Sequence, residues 1–232
     1  MRLAIFSDIH GNLPALEAFA ADTAGKVDGY VCLGDIVGYG PHNDECLEVV
    51  HRLPGAVLLR GNHEEIFTRG DVGQCSRLAQ KFYVRSVAHF SRADLLPEEE
   101  KITIGPWTFR HAIRRAGARL YLYQDSQVPA DLERDCFVGH THHQGVLRRN
   151  GREVINCGSV GQNRKDPSRV CYATVNTANE TFDLHGVEYD LSRFIAELER
   201  YDYPKELIDY YAARRNGEAG PVATCFSCGI TT

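Results

Sequence analysis

The chain has 232 residues, 43% hydrophobic and 25% charged, which is enough apolar material for one sizeable core and too much for a disordered chain. A formal net charge of −5 leaves no basic excess of the kind that sequence-independent nucleic-acid binding draws on, so no dedicated nucleic-acid partner is expected. No apolar run approaches the ~18 residues of a membrane span, and the run at residues 3–6 is too short for a signal-peptide core; the expected address is cytoplasmic, with no membrane partner.

In chain order, residues 3–6 read as a buried strand. Asn12 can cap the helix after it, Pro14 suits the first turn, and Leu13, Leu16, Phe19 and Ala20 form an apolar face. A strand over 30–33 leads to a helix over 45–52, and a strand over 56–59 leads to broken helical material from 64 to about 94. Strands alternating with helices mark an α/β fold with crossover connections. The second half turns to short strands: 101–104 and 107–110 around Gly105-Pro106, then 136–138, then 146–149 and 153–156 joined by the two-residue turn Asn150-Gly151. Runs 170–175 and 181–187 read as an antiparallel pair, followed by helices over 191–201 and after Pro204. The pattern gives two mixed sheets with helices outside, one domain over 1–215 and a loose, Gly- and Pro-punctuated tail over 216–232.

Five of these strands end in side chains that bind metals: Asp8 with His10, Asp35, Asn62, His111, and His140 with His142. Ligands of open α/β sheets gather at the carboxyl ends of strands, so distant positions converge on one site. Imidazole and carboxylate together suit manganese, iron, zinc and similar ions. Seven donors exceed the needs of one tetrahedral ion and fit two ions sharing a carboxylate. Two divalent ions, two carboxylates and one hydroxide sum to about +1, a field that attracts and polarises phosphate. An Asp-x-His or a Gly-Asp alone is a common polar turn; the weight lies in the whole series occurring in order, each piece after an apolar run. His51, His89 and His185 are assigned nothing, and Cys32, Cys136 and Cys171 sit in strands as small hydrophobes.

The series Asp8-x-His10, Gly34-Asp35-x-x-Gly38, Gly61-Asn62-His63-Glu64, His111 and Gly139-His140-x-His142 resembles the calcineurin-like metallophosphoesterase superfamily. The Gly-Ser-Val-Gly-Gln segment at 158–162 is similar to its small bacterial branch, and the resemblance covers roughly residues 1–190. It implies a four-layer αββα sandwich with a dimetal site at the strand C-terminal rim. Asp8, His10 and His142 would hold the first ion, Asn62, His111 and His140 the second, and Asp35 would bridge them; manganese is the first expectation, with iron, zinc, nickel or cobalt as alternatives. Asp35 and His63 are the implied catalytic residues, His63 facing the substrate as a phosphate contact or general acid. Glu64 would orient that imidazole, and Asn12 would help a phosphate dock at a helix N-terminus. Ala112 stands where the family usually has Gly, Cys157 where Pro is common, and the loop at 39–45 lacks a second Pro; these departures bear on loop shape and substrate choice and remove no ligand.

The implied activity is hydrolysis of a phosphomonoester or small phosphodiester by in-line attack of a metal-bound hydroxide, with a small phosphorylated substrate such as a nucleotide. No convincing Ser or Cys nucleophile arrangement competes with it. The alternatives are a noncatalytic metal-binding scaffold of the same fold, or a nuclease, which would need a basic channel. Two segments stay open. Cys225-x-x-Cys228 reads as half a zinc site, a redox pair or part of a mobile tail. Residues 113–135, basic at first (Arg114, Arg115, Arg119) and then aromatic at Tyr121 and Tyr123, read as a lid that meets a nucleotide or second phosphate, or as a solvated helix with an aromatic face.

Overall fold

The computed structural model describes residues 1–73 and 75–215; the tail at 216–232, with Cys225 and Cys228, lies outside the described residues. Strands β1 (Arg2–Phe6), β2 (Gly29–Cys32) and β3 (Ala56–Leu58) run parallel. They continue one sheet, ordered β12-β11-β1-β2-β3, with the antiparallel pair β11 (Arg169–Asn176) and β12 (Thr181–Glu188). The second sheet is ordered β4-β5-β8-β10-β9. Its centre is the parallel trio β5 (Trp107–Arg110), β8 (Asp135–Val138) and β10 (Arg152–Asn156), edged by antiparallel β4 (Lys101–Ile104) and β9 (Gly145–Arg149).

The period of two along each strand explains how the sheets stack. Leu3, Ile5, Val31, Ala173 and Val175 point to the second sheet and meet Trp107, Phe109, Phe137 and Ile155. The alternate residues Ala4, Phe6, Tyr30, Cys32 and Tyr172 point outward to the helices. Helices α1 (Leu13–Thr23) and α2 (Asn43–Arg52) cover that outer face. Asn12 caps α1, its side chain accepting from the Ala15 amide, and Pro14 sits in the first turn. A second apolar cluster joins α3 (Asn62–Arg69), α4 (Arg77–Val87), α5 (Leu191–Arg200) and α6 (Lys205–Arg215) through Phe82, Phe194 and Tyr211.

Two mixed sheets flanked by helices are thus what the sequence pattern called for. Of its two readings of 113–135, a lid or a solvated helix, the helix is overturned. Among the described residues, this segment holds a short hairpin, β6 (Arg114–Arg115) and β7 (Ala118–Arg119), then irregular chain. Ala116 and Gly117 both have left-handed backbones, φ 48° and 83°, which suits a tight hairpin turn and stops a helix. The segment's apolar residues Ile113, Leu120, Leu122, Val128 and Leu132 cover the outer face of the second sheet instead.

Phe137 holds the inter-sheet layer together. Its ring stacks on Phe109 at 5.1 Å and meets Trp107 and Phe182 edge-on. Phe137→Ala should cost about 3–5 kcal/mol, the usual range for an aromatic deleted from a packed core, read as a shifted urea-unfolding midpoint. A loss below about 1 kcal/mol would show that the sheets do not depend on this layer.

Candidate metal centre

The parallel strands bring their carboxyl ends to one rim. The loop after β1 lies along the loop after β2, with Asp8 N donating to Gly34 O at 3.0 Å and His10 N to Asp35 O at 3.1 Å. In the second sheet Gly139 N donates to His111 O at 3.0 Å. The sheets are joined at the rim by His140 N, which donates to Asp8 Oδ2 at 3.0 Å. Gly139 is required there, because a Cβ would stand 2.4 Å from that same carboxylate oxygen. Asp8, His10, Asp35, His140 and His142 all have φ between 53° and 68°. A non-glycine residue adopts this left-handed region at some cost, and such strain gathers at functional sites.

Two donor sets result. In the first, His10 Nδ1 lies 3.1 Å from Val37 O and His142 Nδ1 lies 2.7 Å from Gln162 O. A carbonyl only accepts, so each Nδ1 carries the hydrogen and each neutral Nε2 presents a lone pair. These two Nε2 atoms are 3.1 Å apart, with Asp8 Oδ1 at 3.2 Å from His142 and 3.7 Å from His10. Asp8 Oδ1 is buried and has no hydrogen-bond partner. Three acceptors therefore converge with no donor among them, an arrangement that a cation relieves. Donors about 2.1 Å from a common ion stand roughly 3.0–3.4 Å apart at near-tetrahedral to octahedral angles, which fits this spacing.

In the second set, His111 Nε2 is 3.0 Å from Asn62 Oδ1, 3.2 Å from His140 Nδ1 and 3.2 Å from Asp35 Oδ2. Asp35 Oδ2 is also 3.9 Å from His10 Nε2, so one oxygen faces both sets. His111 Nδ1 and His140 Nε2 are buried without a hydrogen-bond partner. No protein carbonyl fixes the tautomers here, in contrast to the first set. Burial holds the His10, His140 and His142 imidazoles below their usual pKa; it opposes the charge of His111 too, but Asp35 outweighs it and raises that ring.

His63 has its amide on Asp35 Oδ1 at 2.8 Å, and its ring lies edge-on to His10 at 4.6 Å and tilted on Tyr39 at 4.7 Å. Its ring lies close enough to the donors of His10 and Asp35 to form a third possible metal-binding group with them. Burial pushes its pKa down to about 4, with Asp35 pulling the other way. Gly38 leaves room for this ring, since a Cβ there would stand 2.1 Å from His63 Nδ1.

Two expected roles are corrected. Glu64 does not orient His63. Its carboxylate accepts from the backbone amides of Asp35, Ile36, Val37 and Gly61, at 2.7–3.3 Å. Asn12 does not dock a phosphate: it is fully buried, Oδ1 capping α1 and both Nδ2 hydrogens engaged by Gly161 O and Tyr189 Oη. The segment at 158–162 acts as a brace. Val160 N and Gly161 N donate to Ser7 O and Asp8 O, Ser159 Oγ donates to Asp8 O, and Gln162 O receives His142 Nδ1–H. Sequence reasoning missed this backbone role; Tyr121, named in the lid reading of 113–135, has its ring 4.3 Å from that of His140.

A family profile described as the calcineurin-like phosphoesterase superfamily domain matches residues 1–180. The chain belongs to this superfamily, whose members use divalent metal ions. It is similar to a metallophosphoesterase from Sphaerobacter thermophilus, 31% identical, with a TM-score of 0.70, over 92% of this chain and all of that one. An uncharacterized protein of Methanocaldococcus jannaschii is 29% identical over 88% of this chain and 95% of its own. A hypothetical protein from Pyrococcus horikoshii shares the fold, with a TM-score of 0.71 at 16% identity over 90% of this chain and 97% of that one. Among the described residues, no helix is long and apolar enough to cross a membrane.

The Glu64 clasp gives a direct test. Glu64→Ala leaves four buried amides without their acceptor, each loss costing about 1–3 kcal/mol before relaxation. The variant should unfold at markedly lower denaturant than the parent, while Arg69→Ala, on the same helix but exposed to solvent, should cost far less. Equal losses for the two would show that the clasp contributes nothing special.

Proposed function

We propose that this phosphoesterase hydrolyses monoesters or small diesters of phosphate at a dimetal centre. Asp8, His10 and His142 would hold one divalent ion and Asn62, His111 and His140 a second, with Asp35 placed to serve both. The observation that carries this reading is the pair of facing Nε2 lone pairs on His10 and His142, 3.1 Å apart beside an unpaired buried carboxylate oxygen. The mixed nitrogen, carboxylate and amide donors suit manganese first, with iron, zinc, nickel or cobalt as alternatives. Bound there, two such ions polarise a phosphoryl group and turn water into a nucleophile near neutral pH.

The chain's own residues set the geometry. Asp35 Oδ1 is held by the His63 amide, so Oδ2 stays aimed between the two donor sets. His63 belongs to neither four-donor set and lies against both Asp35 and His10. Burial keeps its ring neutral, and an anionic phosphoryl group beside it favours protonation. The imidazolium then hydrogen-bonds the phosphoryl oxygen and hands its proton to the departing alkoxide.

Metal analysis tests the shared carboxylate. Asp35→Asn should lower the content of both ions, whereas Asn62→Ala should leave close to one ion per chain, retained at the set whose tautomers are fixed by Val37 and Gln162. A single ion unaffected by Asp35→Asn would remove the bridging assignment.

For catalysis, His63→Ala should keep both metals and the fold while turnover of an alkyl phosphate ester falls by about 10²–10⁴. The loss should shrink for nitrophenyl esters, whose leaving group needs little protonation. Wild-type rates on the alkyl ester would rule out proton donation by His63. No hydrolysis of any ester by the fully metallated protein would favour a noncatalytic scaffold.

A further inference from the structure

Beside the centre, on the outer face of the second sheet, lies a cavity of about 480 Å³ under the segment that follows β7. This falls within the ~300–1,000 Å³ of pockets that enclose a small organic ligand. It contains none of the seven metal donors. Its floor is aliphatic, with Leu147 of β9 and Val154 of β10, and its roof is Leu122. Leu122 and Leu147 remain only half-buried, so the cavity exposes apolar surface that the fold itself does not cover.

The mouth has a different character. Tyr123, 36% exposed, meets the His143 ring edge-on at 5.4 Å. Gln124, Asp125 and Lys165 line the same cavity, are exposed and, among the described residues, make no side-chain hydrogen bond or ion pair. A continuous set of rings connects this mouth to the metal centre: Tyr123 lies 6.4 Å from Tyr121 with planes 21° apart, and Tyr121 lies 4.3 Å from His140. His143 itself follows the donor His142.

We infer that this cavity binds the nucleoside arm of the phosphate ester whose phosphorus sits at the metal centre. The inference rests on the phosphoesterase reading above. An inorganic phosphate or a sugar phosphate would leave the aliphatic floor wet, and an acyl chain would leave the polar mouth unused. A nucleoside has a flat apolar face for Leu122, Leu147 and Tyr123 and an edge of donors and acceptors. Gln124 can both donate and accept along that edge, and Asp125 accepts from an exocyclic amine or a ribose hydroxyl. Lys165 adds a cation to the same lining.

Two measurements on the metal-loaded protein test the inference. The first compares the p-nitrophenyl ester of thymidine 5′-monophosphate with methyl p-nitrophenyl phosphate, which releases the same nitrophenolate and lacks the nucleoside. Wild type should show a KM at least about tenfold lower for the thymidine ester, the scale of one good apolar pocket contact. That preference should collapse in Leu147→Trp, which fills the floor, and weaken in Tyr123→Ala, whose exposed side chain can be removed without disturbing the core. The second is binding of thymidine alone, followed by NMR shift perturbation, which needs no turnover. Shifts at 122–125 and 146–147 that vanish in Leu147→Trp support the site. Hydrolysis of both esters with equal KM, or thymidine shifts absent or confined elsewhere, overturns the inference and leaves the phosphoesterase reading standing. Thymidine binding at this cavity with no hydrolysis of either ester overturns the phosphoesterase reading and the link to catalysis together, leaving a nucleoside site.

Discussion

The rim is organised by a reciprocal exchange between Asp35 and the first turn of α3. Glu64 reaches back to the amides of Asp35, Ile36 and Val37 and closes on Gly61, while Asp35 Oδ1 receives the amide of His63. The loop after β2 and the helix after β3 are thereby locked to each other by charge-assisted hydrogen bonds, which are stronger than neutral ones. Burial and the adjacent Asp35 push the Glu64 carboxyl up to about 7, and the amides of Asp35 and Gly61 pull it down. A cationic centre a few ångströms away would favour the ionised form that four N–H donors require. Metal occupancy and the clasp are therefore mutually stabilising.

This exchange has a consequence for the donor atoms. Several nearby backbone N–H groups are committed, to Glu64, to Asp35 Oδ1, to Asp8 Oδ2 or to a carbonyl. The first donor set is left with acceptors only, and five of the residues that carry or flank the donor atoms sit in left-handed backbone. Such conformations cost of order 1–3 kcal/mol each and persist only where the surroundings over-determine them. Here the determinants are the backbone pairs between the β1 and β2 loops and the brace at 158–162. The fold holds a strained, acceptor-rich pocket that a cation relieves.

How far the sequence foretold this depends on what each signal encodes. Strand positions followed from alternation, because Leu3 and Ile5 face one layer while Ala4 and Phe6 face the other, and both layers are apolar. The donor residues stood out because rare side-chain types recur directly after those strands. Side-chain partners were less legible. Asn12 looks identical in sequence whether it caps a helix or receives phosphate, and only the approach of Gly161 and Tyr189 decides it. Glu64 follows His63 in sequence, yet on a helix consecutive side chains diverge, so adjacency misled. The helical reading of 113–135 failed for a third reason. Its charges and aromatics fit an amphipathic helix by composition, but the left-handed pair Ala116-Gly117 turns the chain back, and the apolar residues serve the sheet beneath.

That last element also separates chemistry from selectivity. The donor sets rest on parallel strand ends, buried and cross-braced, where movement of a few tenths of an ångström would misplace a ligand. The segment over the second sheet has only a two-residue hairpin of regular structure and leans on half-buried leucines. It is anchored at one end by His111 and touches the centre again through Tyr121 on His140. A change of side chain or length within 120–126 would alter what reaches the rim without disturbing the donor sets, because no donor of either set and no residue of the Glu64 clasp lies within it. Variation confined to this segment is thus the physically cheapest route by which one rigid donor-bearing rim could serve different phosphate esters.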